Sequence, residues 1–344
     1  MAGSRYAGPI MQTCQLGSTG ITVTPIGLGL AAVGRPGYIN LGRDADLGAD
    51  RSVEALRERT HAILDAAYAA GVRYVDAARS YGRAEEFLAA WLRRRDLPPG
   101  ALTVGSKWGY TYTAGWRVRA AVNEVKDHSL ATLRRQLDES RALLGPWLRL
   151  YQVHSATLES GVLADTAVLH ELARQRDAGL AIGVTVSGAR QADTIRSALE
   201  IRIDGVNPFG VVQATWNLLE PSAGPALEDA HREGCGIIVK EALANGRLAV
   251  RQPGAASAAA DALDRMAADD GADQRASPDA IAIAAALAQP WADVVLSGAV
   301  TLAQLASNLS ALDLALSPSR LDQLATLAEP AEAYWAERSA HPWS

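Results

Sequence analysis

From residue 25 onward, short β-branched runs alternate with longer stretches of helical period, eight times over. This order is the signature of βαβ units around a parallel sheet, because a parallel strand needs a crossover segment to bring the chain back to its starting edge. The runs read as strands are 25–29, 73–76, 102–106, 150–154, 182–186, 211–214, 236–239 and 293–296. Between them, apolar residues recur at helical spacing. From Val53 to Tyr68 the i, i+3, i+4 pattern leaves one buried stripe, and Gly71 supplies the stop. Further helices are expected over 123–144, 163–177, 189–199, 224–233, 278–287 and 302–312. The 278–287 helix opens on Ser277-Pro278, where the donor a proline lacks would be unsatisfied anyway.

Eight strand-helix units can close into a barrel or open as a doubly wound sheet, and periodicity does not choose between them. A dinucleotide fold should carry G-x-G-x-x-G between its first strand and first helix. Gly27-Leu-Gly29-Leu-Ala-Ala-Val-Gly34 only half resembles that, and a loop follows where the helix should begin. A chain of 344 residues suits a barrel of about 250 residues plus insertions. The expected fold is therefore α/β, a single (β/α)8 TIM barrel over residues 13–330 with an extra C-terminal helix. Residues 13–24, with Gly17-Ser-Thr-Gly20 between β-prone flanks, read as an N-terminal β-hairpin laid on before the barrel. Residues 1–12 read as a loose leader and 331–344 as a tail. Residues 250–276, rich in Ala, Asp, Gly and Gln, read as a mobile insertion near the top of the barrel or as a simple surface loop.

A net charge of -5, from 33 Lys+Arg against 38 Asp+Glu, gives no sequence-wide attraction to nucleic acid or to an anionic membrane. The first dozen residues lack the apolar core of a secretion signal, and no run approaches the ~18 apolar residues of a membrane span. Cys14 and Cys235 lie too far apart in sequence for a disulfide framework or a metal cluster, which favours a reducing cytoplasm. The expected partner is a small-molecule substrate, and the oligomeric state stays open.

In such a barrel the chemistry gathers at the C-terminal ends of the strands. Asp76 closes Arg-Tyr-Val-Asp, with Tyr81 following in D-x-x-x-x-Y; Lys107 closes Thr-Val-Gly-Ser-Lys; His154 closes Leu-Tyr-Gln-Val-His. Each has a plain structural reading: a helix cap, an ordinary core ring, a solvated cation and a satisfied core imidazole. Together they make an acid-catalysis group. A phenol is a poor proton donor at neutral pH until a nearby cation favours phenolate, and Lys107 can be that cation. Asp76 would pair with Lys107 while His154 donates a hydrogen bond to a carbonyl oxygen.

Asp76-Ala-Ala-Arg-Ser-Tyr81-Gly-Arg-Ala-Glu85, Gly105-Ser-Lys107-Trp-Gly-Tyr and Tyr151-Gln-Val-His154 resemble the aldo-keto reductase superfamily in order, spacing and context. The likeness runs from Leu16-Gly-Ser-Thr-Gly to the late segment from Ser297-Gly-Ala-Val-Thr to Asn308. It implies a (β/α)8 barrel that binds an extended nicotinamide dinucleotide without a Rossmann domain and uses a tetrad of Tyr81, Lys107, Asp76 and His154. It further implies that Gln213 holds the carboxamide, with Thr185 or Ser187, and that Trp216 stacks on the nicotinamide ring where Tyr is more usual. The loop from Lys240 would fold over the pyrophosphate. Ser297, Gly298, Ala299, Thr301, Gln304 and Asn308 would meet the adenosine phosphate, a role suited to the free amides of a helix N-terminus. Many members hold the 2′-phosphate of NADP with a basic residue in this segment. None occurs over 298–308, where Gln304 stands in a cation's usual place, so the cofactor is NADPH or NADH.

After Lys107 come Trp108, Tyr110, Tyr112 and Trp116, far denser in aromatics than the chain's 6%. Trp108 and Tyr110 are expected to line a substrate cleft, with packing of the loop as the plain alternative. The resemblance leans toward the sugar and polyol dehydrogenase branch, hence toward a sugar or a small biosynthetic carbonyl compound. Two other classes stay open: a regulatory barrel subunit that holds cofactor, and a non-redox lyase or isomerase using Tyr81 as acid.

Overall fold

The computed structural model describes residues 11–249, 258–269 and 276–344. Residues 1–10, most of the stretch read as a leader, lie outside the described residues, as do 250–257 and 270–275 of the stretch read as an insertion.

Cys14–Gln15 (β1) and Thr22–Val23 (β2) form the antiparallel hairpin expected over 13–24. Eight parallel strands then close a barrel in chain order: Ile26–Gly29 (β3), Tyr74–Asp76 (β4), Thr103–Trp108 (β5), Leu148–Ala156 (β8), Ala181–Val186 (β9), Val211–Thr215 (β10), Gly236–Lys240 (β11) and Val294–Ser297 (β12). Each overlaps one of the eight runs picked from the sequence. Tyr110–Tyr112 (β6) and Glu124–Lys126 (β7) make a second small antiparallel pair above the end of β5.

Six of the helices begin where a local side chain satisfies a free amide. Arg43–Leu47 (α1) is a short turn within the long β3 connection. Val53–Ala69 (α2) starts on Ser52, whose hydroxyl accepts from the Ala55 amide; Leu130–Leu144 (α4) starts on Ser129 in the same way. The helix expected from residue 123 is therefore shorter than the sequence suggested. Residues 124–126 pair with β6 instead, and only after the Ser129 cap does the helix run. Ala84–Arg94 (α3) was not expected at all, although Ala84, Phe87, Leu88, Trp91 and Leu92 bury one stripe at helical spacing.

Thr166–Asp177 (α5), Gln191–Glu200 (α6), Gly224–Arg232 (α7), Pro278–Leu287 (α9) and Leu302–Leu309 (α10) complete the ring near the expected positions. Ala258–Asp269 (α8) corrects the reading of 250–276 as a loop: it is a helix whose Leu263 is buried in a cluster with Ile281 and Ala285 of α9. Two helices follow the barrel, Pro318–Ala325 (α11) and Ala331–Ala340 (α12). The tail over 331–344 is mostly the second of these, anchored by buried Tyr334 and Trp335.

Two cores result. The larger fills the layer between barrel and helices. The other lies inside the barrel at its N-terminal end, where Leu16, Ile21 and Val23 of the hairpin region meet Tyr74, Leu150, Val211, Ile238 and Val294. Tyr74 needs the room that Gly27 and Gly105 leave, since a Cβ on either would stand 2.8 Å and 2.5 Å from its ring and hydroxyl. Apolar packing thus closes one end of the barrel and leaves the other to polar side chains.

Candidate active site

Side chains alternate across a strand, so a barrel residue two positions beyond an interior residue also points inward. Above Tyr74 this rule puts Asp76 inside, above Gly105 it puts Lys107, and above Leu150 it puts Gln152 and then His154. Asp76 and Lys107 are 2% and 1% exposed and form a direct ion pair. Three more donors converge on Oδ1 of Asp76: the Tyr74 hydroxyl at 3.0 Å, Gln152 Nε2 at 3.3 Å and Gln213 Nε2 at 3.2 Å. A buried carboxylate held by one ammonium and three neutral donors is a fixed anion, and it fixes Lys107 in turn.

Tyr81 stands on the loop after β4. The Lys107 ammonium lies 5.0 Å from its ring centre, and the His154 ring is 5.5 Å away edge-on. The four residues picked from strand ends do meet at one place. The electrostatics differ from expectation. Burial and the neighbouring Asp76 push the Tyr81 hydroxyl well above the ordinary phenol value, while the cation that pulls it back is Arg35. Arg35 lies 5.4 Å from the Tyr81 ring centre.

His154 is held well below the ordinary imidazole value by burial, then by Lys107, Arg35 and Lys240. It is neutral at physiological pH. The Ser80 hydroxyl is 3.4 Å from Nδ1; with that hydroxyl donating, the ring proton sits on Nε2. The backbone around it is irregular. The β8 to β9 register slips between Val153 and Ala156, and Ser155 has φ 50°. Two contacts hold this bulge: Ser155 N donates to Thr185 Oγ1 at 2.7 Å, and the His154 carbonyl oxygen lies 2.9 Å from His128 Nε2. Thr185, fully buried, is thereby committed to the bulge; Ser187, half-buried, lies just beyond the end of β9.

Tyr110 joins the group, its ring centre 5.0 Å from that of His154. Trp108 does not. It is wholly buried on the outer face of β5, edge-on to His128, which corrects its expected place in the cleft. Trp216 is 7% exposed and set edge-on to Trp291 at 5.9 Å, with Gly224 of α7 beside its indole nitrogen. Trp216 and Trp291 both belong to the layer between barrel and helices.

At the end of β11, Lys240 donates to Thr215 Oγ1 at 2.8 Å and is pulled down to about 8 by burial. Burial pushes the adjoining Glu241 up, but Arg338 of α12 and Lys240 outweigh it and hold it at about 2. Arg338 grips that carboxylate with two nitrogens. Neither Glu241 nor Arg338 carried a readable signal, because they meet only when α12 folds back across the barrel. Arg35 went unnoticed for the same reason, although its place in the loop after β3 was visible.

The sequence matches the Aldo/keto reductase family over residues 26–329. The chain belongs to that family. Members of that family are enzymes that interconvert carbonyls and alcohols with a nicotinamide dinucleotide. A pyridoxal 4-dehydrogenase from Microbacterium luteolum is 29% identical over 243 residues, which span 65% of this chain and 60% of that protein. Among solved structures, an aldo-keto reductase from Bacillus halodurans in its holo form superposes with a TM-score of 0.67 at 19% identity, covering 93% of this chain and 97% of that one. One from Pseudomonas aeruginosa superposes at 0.60 with 23% identity, covering 90% and 98%. These likenesses confirm the barrel. Among the described residues, no helix is long and apolar enough to cross a membrane.

An aldo/keto reductase must hold a nicotinamide dinucleotide, and several features fit one. Gly298 is exposed with nothing within 4 Å of where a Cβ would stand. Thr301 caps α10 through Gln304 N, which leaves the Leu302 and Ala303 amides without intrahelical acceptors. Ser297 and Asn308 are bonded to each other behind them. The Ala299 and Val300 amides are already taken by Ser297 Oγ and Gln304 Oε1. Gln304 Nε2 donates to Asp46 at 2.7 Å, so no free cation stands at that position.

Proposed function

We propose that this enzyme reduces aldehydes or ketones, and oxidises the corresponding alcohols in reverse, with Tyr81 exchanging the proton and Asp76, Lys107 and His154 supporting it. The observation that carries the reading is the meeting of the Asp76–Lys107 pair, the Tyr81 ring and a neutral His154 at the polar end of the barrel. A nicotinamide dinucleotide, when bound, would supply or accept the hydride. The residues do the rest. A neutral His154 with its proton on Nε2 donates to the carbonyl oxygen and polarises it, and Tyr81, protonated at neutral pH, hands its proton to that oxygen as negative charge develops. The Asp76–Lys107 pair fixes Lys107 beside the ring. Tyr110 supplies a wall for the substrate, for which the relative named pyridoxal 4-dehydrogenase supports a small ring-bearing carbonyl compound.

For the cofactor, Ser187 and Gln213 suit the carboxamide better than Thr185, whose hydroxyl holds the bulge. Lys240, with its ammonium at the strand end, suits the pyrophosphate, and the amides at the start of α10 suit the adenosine phosphate. Gln304 is tied to the carboxylate of Asp46, and Arg59 spends its donors on the carbonyls of Asp46, Leu47 and Val300. Selection for a 2′-phosphate is accordingly weak. Tryptophan fluorescence titration with NADPH and NADH is the test, and the two dissociation constants should agree within about tenfold, or 1.4 kcal/mol. Saturable binding of neither would overturn the redox reading.

A further inference from the structure

Arg35 is 2% exposed at the mouth of the barrel, and its guanidinium is only half used. Nη1 donates to the Ser80 carbonyl oxygen at 2.9 Å and pairs with Glu124. Nε is buried with no acceptor, and Nη2 has none among the described residues. A buried charged donor left unmade costs more than a neutral one, so a fold keeps such a group when something outside the chain completes it. The Nε and Nη2 hydrogens lie parallel along one edge of a guanidinium, the edge that grips a carboxylate or phosphate with two bonds. Three rings hold the plane of Arg35 in place: Trp343 at 4.7 Å, Tyr38 at 4.9 Å and Tyr81 at 5.4 Å. The last of these is the proposed proton donor.

We propose that Arg35 is an anion-binding subsite beside the reacting carbonyl, so that the preferred substrates carry a carboxylate or other acidic group a short chain or one aromatic ring away from it. The inference rests on the redox reading for where the carbonyl sits. Of the nearby acceptors, Glu124 is already held by Nη1, and the Arg35 carbonyl oxygen is already taken by Arg43. The three rings flank the guanidinium, and its free edge then selects by charge.

The test compares 4-carboxybenzaldehyde with benzaldehyde, which share a carbonyl and differ in one carboxylate. In steady-state assays of NADPH or NADH oxidation, the acid should be preferred at least tenfold in kcat/KM, carried by KM and shrinking as salt is raised. In Arg35→Gln the ratio between the two should fall to within about twofold of one, and Arg35→Lys should restore part of it, since a point charge replaces the fork. A ratio near one in the unaltered enzyme overturns the proposal without any variant having to fold. Equal loss on both aldehydes in Arg35→Gln also overturns it, leaving Arg35 as a positioning residue for Tyr81. Calorimetric titration of the same two compounds reads the subsite independently of turnover. Tighter binding of the acid with no cofactor oxidation would sink the redox reading and keep the subsite; equal binding of both would sink the subsite alone.

Discussion

At the scale of single residues, the proposed chemistry depends on one hydroxyl and the charges around it. Burial and Asp76 keep Tyr81 protonated far above neutral pH, and Arg35 works against them. Tyr81→Phe removes the proton and little volume, so turnover should fall by at least 10²-fold while NADPH affinity, read by fluorescence, stays within a few-fold. Retained turnover would remove Tyr81 from the acid role. Asp76→Asn leaves Lys107 as a buried ammonium without its carboxylate, a loss of about 3–5 kcal/mol when one partner of a buried pair goes. It should therefore lower the thermal midpoint as well as the rate, a double effect that Tyr81→Phe should not show.

At the scale of elements, the β8 bulge is the feature that aims His154. Its carbonyl oxygen leans on His128, which burial pushes down to about 4. The unfolded chain binds a proton to this histidine near its ordinary value of about 6.5, while the folded chain resists until about 4. Between those values the unfolded state holds more protons, so stability rises with pH through that window and is flat above it. The contribution is of order 3 kcal/mol. Thermal melts from pH 4 to 7 should show this rise, to which the depressed His154 adds, and His128→Asn should reduce its slope while lowering the midpoint at pH 7. An unchanged slope would place the proton elsewhere. The sequence hid this arrangement, since His128 lies in a loop that joins β7 to α4 and meets His154 only across the barrel rim. The same limit applied to Glu241 and Arg338, 97 residues apart. The strand ends were legible because a period of two and a run of β-branched residues are local. Helix α3 was equally local and still missed, its stripe overshadowed by the Asp76 to Glu85 motif just before it.

For the whole molecule, the barrel divides its labour between ends. The C-terminal end keeps charge and hydroxyls in place around a reacting carbonyl, while the N-terminal end is closed by packing against the hairpin. That closure demands close backbone approach. Gly17 has φ 52°, and a Cβ there would stand 2.2 Å from Gly236 N, whereas Gly20, at φ 71°, would meet nothing within 4 Å. Gly20→Ala therefore isolates the cost of a left-handed backbone, about 1 kcal/mol, from the cost of pushing the hairpin off the barrel. Gly17→Ala adds a clash with backbone that cannot rotate away, and should be destabilising by about 2–4 kcal/mol in denaturant melts. The hairpin lies at the end opposite the tetrad, so both variants should keep the unaltered kcat/KM wherever they are folded. If Gly17→Ala lost activity before it lost structure, the two ends would be coupled through Tyr74, whose hydroxyl reaches from the packed core to Asp76 at 3.0 Å. Adding Tyr74→Phe would decide it, since removing that one hydrogen bond should abolish any such link while leaving the packing intact.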